Sequence, residues 1–161
     1  MERRRISAAL AVAVVMGVIA FSWPLFLRPE SGMSPTQAPI MFALALAAML
    51  AVVLSEVAGG RMDARTLAML GVLATVGTVL RPLSAGTAGF ELIFFLMILA
   101  GRVFGAGFGF ALGAITLFTS ALITSGVGPW LPYQMLSAGF VGLFAGLLPK
   151  AKGWAEIWLL A

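Results

Sequence analysis

The chain has 161 residues, of which 61% are hydrophobic and only 10% charged, with a mean hydropathy of +1.09. Soluble domains carry about 25% charged residues, so this composition excludes a water-soluble globular fold and makes lipid part of the solvent. The absence of Cys and His excludes thiolate clusters, His-ligated zinc or haem, His-based triads and disulfides, so no metal or cofactor is expected; the net charge of +4 forms no basic stripe and does not point to nucleic acid.

Six apolar segments follow in chain order: Ile6 to Leu27, Pro39 to Val57, Thr66 to Leu80, Phe90 to Val103, Gly105 to Thr124 and Pro132 to Leu148. A helix needs about 20 residues to cross the hydrocarbon. The fold class is therefore an all-α integral membrane bundle of about six transmembrane helices. The third and fourth segments are short. They read either as tilted helices with snorkelling Arg81 and Arg102 or as a re-entrant hairpin. Glu2 to Arg5 resembles the n-region of a signal peptide, but the apolar run after it is long and ends in Ser22-Trp-Pro-Leu without a small-x-small site, so a retained helix is expected.

Lys and Arg set the orientation. One set of helix ends holds eight cations, Arg3, Arg4, Arg5, Arg61, Arg65, Arg102, Lys150 and Lys152; the other holds two, Arg28 and Arg81. The N-terminus is thus expected in the cytoplasm of a multi-pass protein, with loops 28–38, 81–90 and 125–131 outside. The tail from Trp154 to Ala161 reads either as an interfacial helix or as the start of another helix.

Small residues let membrane helices approach closely. Gly105, Gly109 and Gly113 form one such stripe, Gly142 and Gly146 a second, Ala9, Ala13 and Gly17 a third, and Ala64 and Ala68 open the third segment. These spacings suit packing within the bundle or a partner-docking face. Glu56 and Asp63, with Arg61 and Arg65, read as a solvated cluster at the cytoplasmic surface.

Polar groups of interest gather at the outer boundary. Arg81 precedes Pro82, which predicts a helix end there. Glu91 opens the next helix, where a carboxylate suits the positive dipole end. Trp130, Tyr133 and Gln134 follow in Gly128-Pro-Trp-Leu-Pro-Tyr-Gln134, where Pro129 and Pro132 stiffen the backbone. Two aromatics and an amide on a rigid segment suit a planar ligand, although Trp and Tyr also serve as plain interfacial anchors. Ser120, Thr124 and Ser125 add hydroxyls nearby. No nucleophile–base pair and no carboxylate pair forms a catalytic constellation, so an enzyme is not expected.

Residues 64–161 resemble the substrate-binding S component of energy-coupling factor (ECF) vitamin transporters, most like the longer actinobacterial members. The likeness rests on Leu80-Arg-Pro82, Gly86-Thr-Ala-Gly-Phe-Glu91, Ala100-Gly-Arg-Val-Phe-Gly105, Gly107-Phe-Gly-Phe-Ala-Leu-Gly113, Ser120-Ala-Leu-Ile-Thr124, Gly128 to Gln134 and Ala145-Gly-Leu-Leu-Pro149. The resemblance implies a six-helix core in the bacterial cell membrane that binds a vitamin-like micronutrient from outside. It implies no ATPase of its own, and partners in a membrane T subunit bound to two ATPase subunits. On this reading Arg81, Glu91, Trp130, Tyr133 and Gln134 bind substrate. A small-residue face of the core's first helix, Ala64, Ala68 and Gly71, docks the T subunit. Residues 1–58 would be an extra helix pair before the core. The core in 64–161 would hold four helices and the start of a fifth at Trp154. The competing reading is a small membrane assembly or scaffold protein that binds no ligand.

Overall fold

A computed structural model describes residues 7–26, 37–60, 62–84, 91–124, 126–149 and 153. Among the described residues the secondary structure is entirely helical: α1 (Ala8–Phe26), α2 (Gln37–Ala58), α3 (Ala64–Ser84), α4 (Leu92–Phe104), α5 (Ala106–Ile123) and α6 (Leu131–Leu147). Each helix falls on one apolar segment of the sequence. Two are long and apolar enough to cross a membrane, over Ala64–Leu83 and Ala106–Ile123. Of the expected loops 28–38 and 81–90, residues 28–36 and 85–90 lie outside the described residues, as does the tail from Trp154, while 37–38 already belong to α2 and 81–84 to α3.

α5 is the centre of the bundle. It packs most extensively on α6, and also on α3, α4 and α2. Eleven of its 18 residues are buried, from Phe108 to Ala121, which suits a helix that is apolar on every side. Close approach to α6 is made possible by glycine. A methyl group on Gly142 would overlap the Gly109 backbone, and one on Gly113 would overlap the Ala138 carbonyl. The larger apolar core joins α1, α2, α4, α5 and α6 through Leu10, Met49, Ile93, Met97, Phe110 and Met135. A smaller one joins α3 to α4 and α5 through Leu70, Ala74, Ala100, Phe108 and Leu112. Outward faces carry Val12, Val15, Ile19, Leu44, Val72, Val76, Val79, Phe95 and Val103, a surface matched to hydrocarbon.

Four expectations are corrected. First, α3 does not stop at Arg81 but runs through Pro82 to Ser84. Pro82 sits in the last turn, so its missing N–H and ring disturb few remaining helical bonds. The continuation gives α3 21 residues, a spanning length without re-entry. Second, Gly105 does not join the packed stripe of Gly109 and Gly113. It separates α4 from α5 with φ 101°, a backbone conformation that disfavours any residue with a Cβ. Third, Arg102 does not snorkel. It is 7% exposed and donates to the carbonyls of Leu148 at 2.5 Å and Pro149 at 2.8 Å, neutralising the negative end of α6. Fourth, Glu56 is no solvated charge. It is 3% exposed, accepts a hydrogen bond from the Ser7 hydroxyl, and stands so close to Gly107 that a methyl group there would collide with its carboxylate. Asp63 is exposed, and Arg65 with it; Arg61 lies outside the described residues.

These contacts sort the helix ends. Ser7, Glu56, Arg102, Gly107 and Leu148 share one end of the bundle, and Arg81, Ser120 and Gln134 share the other.

Candidate functional site

The second of those ends carries a cleft of about 310 Å3, lined by Arg81, Glu91, Ile93, Phe94, Leu117, Trp130, Tyr133, Gln134, Ser137 and Ala138. All five candidate substrate residues line it. They come from three separate stretches of sequence: the end of α3, the start of α4, and the start of α6.

Each is placed for a local reason. Arg81 occupies the last turn of α3, where a cation meets the negative end of the helix dipole. Its guanidinium donates to the Ser120 hydroxyl at 3.4 Å and to Gln134 Oε1 at 3.3 Å. Both bonds are long for N–H to O, and an Arg has five N–H donors, so the group keeps donors for another acceptor. Ser120 is fully buried and ties Arg81 to α5. Glu91 is the N-cap of α4 with extended backbone, and its side chain makes no capping bond. The helix uses its backbone instead, with Phe94 N–H donating to the Glu91 carbonyl at 3.2 Å. The carboxylate, exposed at the rim, therefore stays available on the cleft side.

Trp130 is the N-cap residue of α6, and Pro132 fits the first turn, where its missing N–H costs nothing. The Gly128 carbonyl accepts from Leu131 N–H at 2.9 Å and closes the turn. Gly128 is also where the Trp130 ring folds back, since a methyl there would overlap the indole. The indole N–H donates to the Gly126 carbonyl at 3.3 Å, which holds the ring in place and leaves its face for contact. Tyr133, Gln134, Ser137 and Ala138 succeed one another on a single face of α6, the i, i+1, i+4, i+5 pattern of a helix. Ser137 donates to the Tyr133 carbonyl at 2.9 Å, and its oxygen can still accept.

The cleft thus offers a cationic group, a carboxylate, an amide, a hydroxyl and three aromatic rings, Phe94, Trp130 and Tyr133, over an apolar floor of Ile93, Leu117 and Ala138. That is the make-up of a small-molecule site. Ser137, Ile93, Phe94, Leu117 and Ala138 were not singled out from sequence. Ser137 was within reach, one turn beyond Tyr133. The apolar floor carried no signal, because its residues resemble every other apolar residue in the chain. Among the hydroxyls expected nearby, Ser120 bonds Arg81, Thr124 bonds the Ser120 carbonyl at 2.8 Å, and Ser125 lies outside the described residues.

The candidate docking residues lie away from the cleft. Ala64, Ala68 and Gly71 are all exposed on α3, and a methyl group on Gly71 would meet nothing within 4 Å.

A family model described as "ECF transporter, substrate-specific component" matches residues 65–160. No curated protein and no solved structure matches the chain.

Proposed function

Because the chain belongs to the family of ECF transporter substrate-specific components, we propose that the cleft between α3, α4 and α6 is where it takes up a vitamin or related micronutrient. Members of this family are membrane-embedded substrate-binding subunits that work with T and ATPase modules; it is not an enzyme family. The finer reading rests on one observation: Arg81, Glu91, Trp130, Tyr133 and Gln134, up to 53 positions apart, line one cavity of about 310 Å3. Arg81 meets an anionic group of the substrate, Trp130 and Tyr133 stack on its ring, and Gln134 and Glu91 bond its polar edge.

The exposed face of Ala64, Ala68 and Gly71 fits docking on the T subunit, which carries two ATPase subunits. The cation bias supports a cleft open to the outside and a cytoplasmic N-terminus in the bacterial plasma membrane. Residues 1–58 act as an additional helix pair ahead of a core in 64–161.

The test is calorimetric titration of the purified full chain with thiamine, riboflavin, biotin, pantothenate, nicotinate and pyridoxine. Trp130→Ala is expected to weaken the bound vitamin by about 1–3 kcal/mol, the scale for a stacking aromatic, which is about tenfold or more in Kd. Arg81→Gln and Gln134→Ala should act in the same direction. Equal affinity across wild type and all three variants would remove the cleft from binding. No binding of any of the six, with an intact complex with T subunit, would favour the scaffold reading.

A further inference from the structure

We infer that Phe21 of α1, outside the region matched by the family, is a positioning residue for the cleft and holds the Tyr133 ring against it. The inference rests on reading the cleft as the substrate site.

The buried stripe of α1 runs through Ser7, Leu10, Ala13 and Gly17, spaced three and four residues apart as one helix face requires. Its lower end is fixed by the Ser7 hydroxyl on buried Glu56. Its middle is fixed by Gly17, where a methyl group would overlap the Phe140 ring of α6. Phe140 itself packs against Phe110, at 6.3 Å between centroids, and Phe144, at 5.8 Å, so the contact seats α1 on an aromatic cluster of α5 and α6. One turn beyond Gly17 the same face presents Phe21. Its ring lies 6.0 Å from that of Tyr133 at 70°, the edge-to-face geometry that aromatic pairs prefer.

Tyr133 is 37% exposed and Phe21 49%, so neither ring is locked by general burial. Tyr133 lines the cleft, and Phe21 does not. The role of Phe21 is therefore exerted through Tyr133: it limits the rotamers of a ring that would otherwise swing toward lipid. α1 in this way extends the cleft's wall by one layer, from a part of the chain with no chemistry of its own.

Tyr133 is the sole tyrosine of the chain, which makes the test direct. Full-length protein labelled with 3-fluorotyrosine gives one 19F resonance, from Tyr133. Phe21→Ala and the apolar, non-aromatic Phe21→Leu are expected to shift it by more than its linewidth. Phe21→Trp should bring it back toward the wild-type position, and Phe95→Ala, on an exposed face of α4, should leave it unmoved. An unmoved resonance in Phe21→Leu overturns the inference whatever happens to binding. In the binding arm, Phe21→Leu should weaken whichever of the six vitamins the wild type binds by about two- to tenfold, the worth of one aromatic pair. If Tyr133→Ala weakens that vitamin and Phe21→Leu does not, the positioning role falls while the cleft stands. If neither weakens it, the reading of the cleft at Tyr133 falls as well.

Discussion

The α5–α6 contact and the open face of α3 are built from the same small residues and have opposite surroundings. On α5 and α6, Gly109, Gly113 and Gly142 touch the backbone of the facing helix, with no room for a methyl group. On α3, Ala64, Ala68 and Gly71 face outward, and Gly71 has nothing within 4 Å. A small-residue stripe therefore states only that a close approach is possible. Which stripe is used inside the chain, and which is left for another surface, depends on what the remaining helices bring opposite it. In α5–α6 the approach is made within the chain and the gain is fold stability. In α3 the same allowance remains open, which suits a subunit that docks on a partner.

The sharpest way to break this contrast is to place one side chain in both regions. Gly142→Leu should prevent folding or destabilise by at least about 3 kcal/mol, beyond the usual cost of overpacking because the obstacle is backbone. It should be read as loss of a monodisperse peak in detergent chromatography. Gly71→Leu should leave the melting temperature unchanged or higher, since Leu is the better helix former, yet abolish co-purification with the T subunit. A destabilised Gly71→Leu protein would show that the α3 face is not open; normal co-purification would remove it from docking.

Arg102 tests the closed region through charge. Arg102→Ala strips the Leu148 and Pro149 carbonyls of their buried donor, and is expected to cost about 2–3 kcal/mol, the range for a charged hydrogen bond left unmade. A Tm equal to wild type would contradict the capping of α6. Gly105→Ala should cost about 1–2 kcal/mol, because a Cβ at φ 101° is strained, and its effect should fall on thermal stability with the vitamin affinity of the folded fraction unchanged.

Smaller effects separate α3 from the rest. Thr116, fully buried on α5 where it faces Gly77 of α3, has a hydroxyl with no partner among the described residues. Thr116→Val keeps the shape and removes the orphaned group, so thermal unfolding should be unchanged or stabilised by about 1 kcal/mol. A clear loss of stability would mean that the hydroxyl is satisfied in the membrane. At the start of α3, Asp63 Oδ1 accepts from Thr66 N–H at 2.9 Å, and hydrogen bonding to the Thr66 side chain first, and to its backbone second, holds the Asp63 carboxyl below the ordinary value. A depressed folded pKa stabilises above the unfolded value and is lost as pH falls through the folded one. The α3 N-terminus should therefore fray only in acid, below the usual carboxylate range, seen as faster amide exchange at Thr66 and Leu67. Asp63→Asn, which keeps an acceptor, should flatten that dependence.

Much of the architecture was legible in the chain itself. A continuous apolar run must satisfy its own backbone hydrogen bonds when water is excluded, so six runs became six helices with ends shifted by a few residues. The resemblance in residues 64–161 and the polar residues at one set of helix ends pointed to the same five side chains that line the cleft. What sequence did not determine was every property that depends on a neighbour distant in the chain. Glu56 reads as a surface charge by its place beside Asp63 and Arg65, and it is buried only because Ser7 and Gly107 arrive from α1 and α5. Gly105 reads as one more small residue of a stripe until its positive φ makes it a joint. Phe21 is indistinguishable from the other apolar residues of α1, and only the docking of α1 against Phe140 sets its ring edge-on to Tyr133. Hydropathy is a local quantity and fixes local structure; contacts between helices depend on the relative rotation and depth of both partners, which the tertiary packing alone decided.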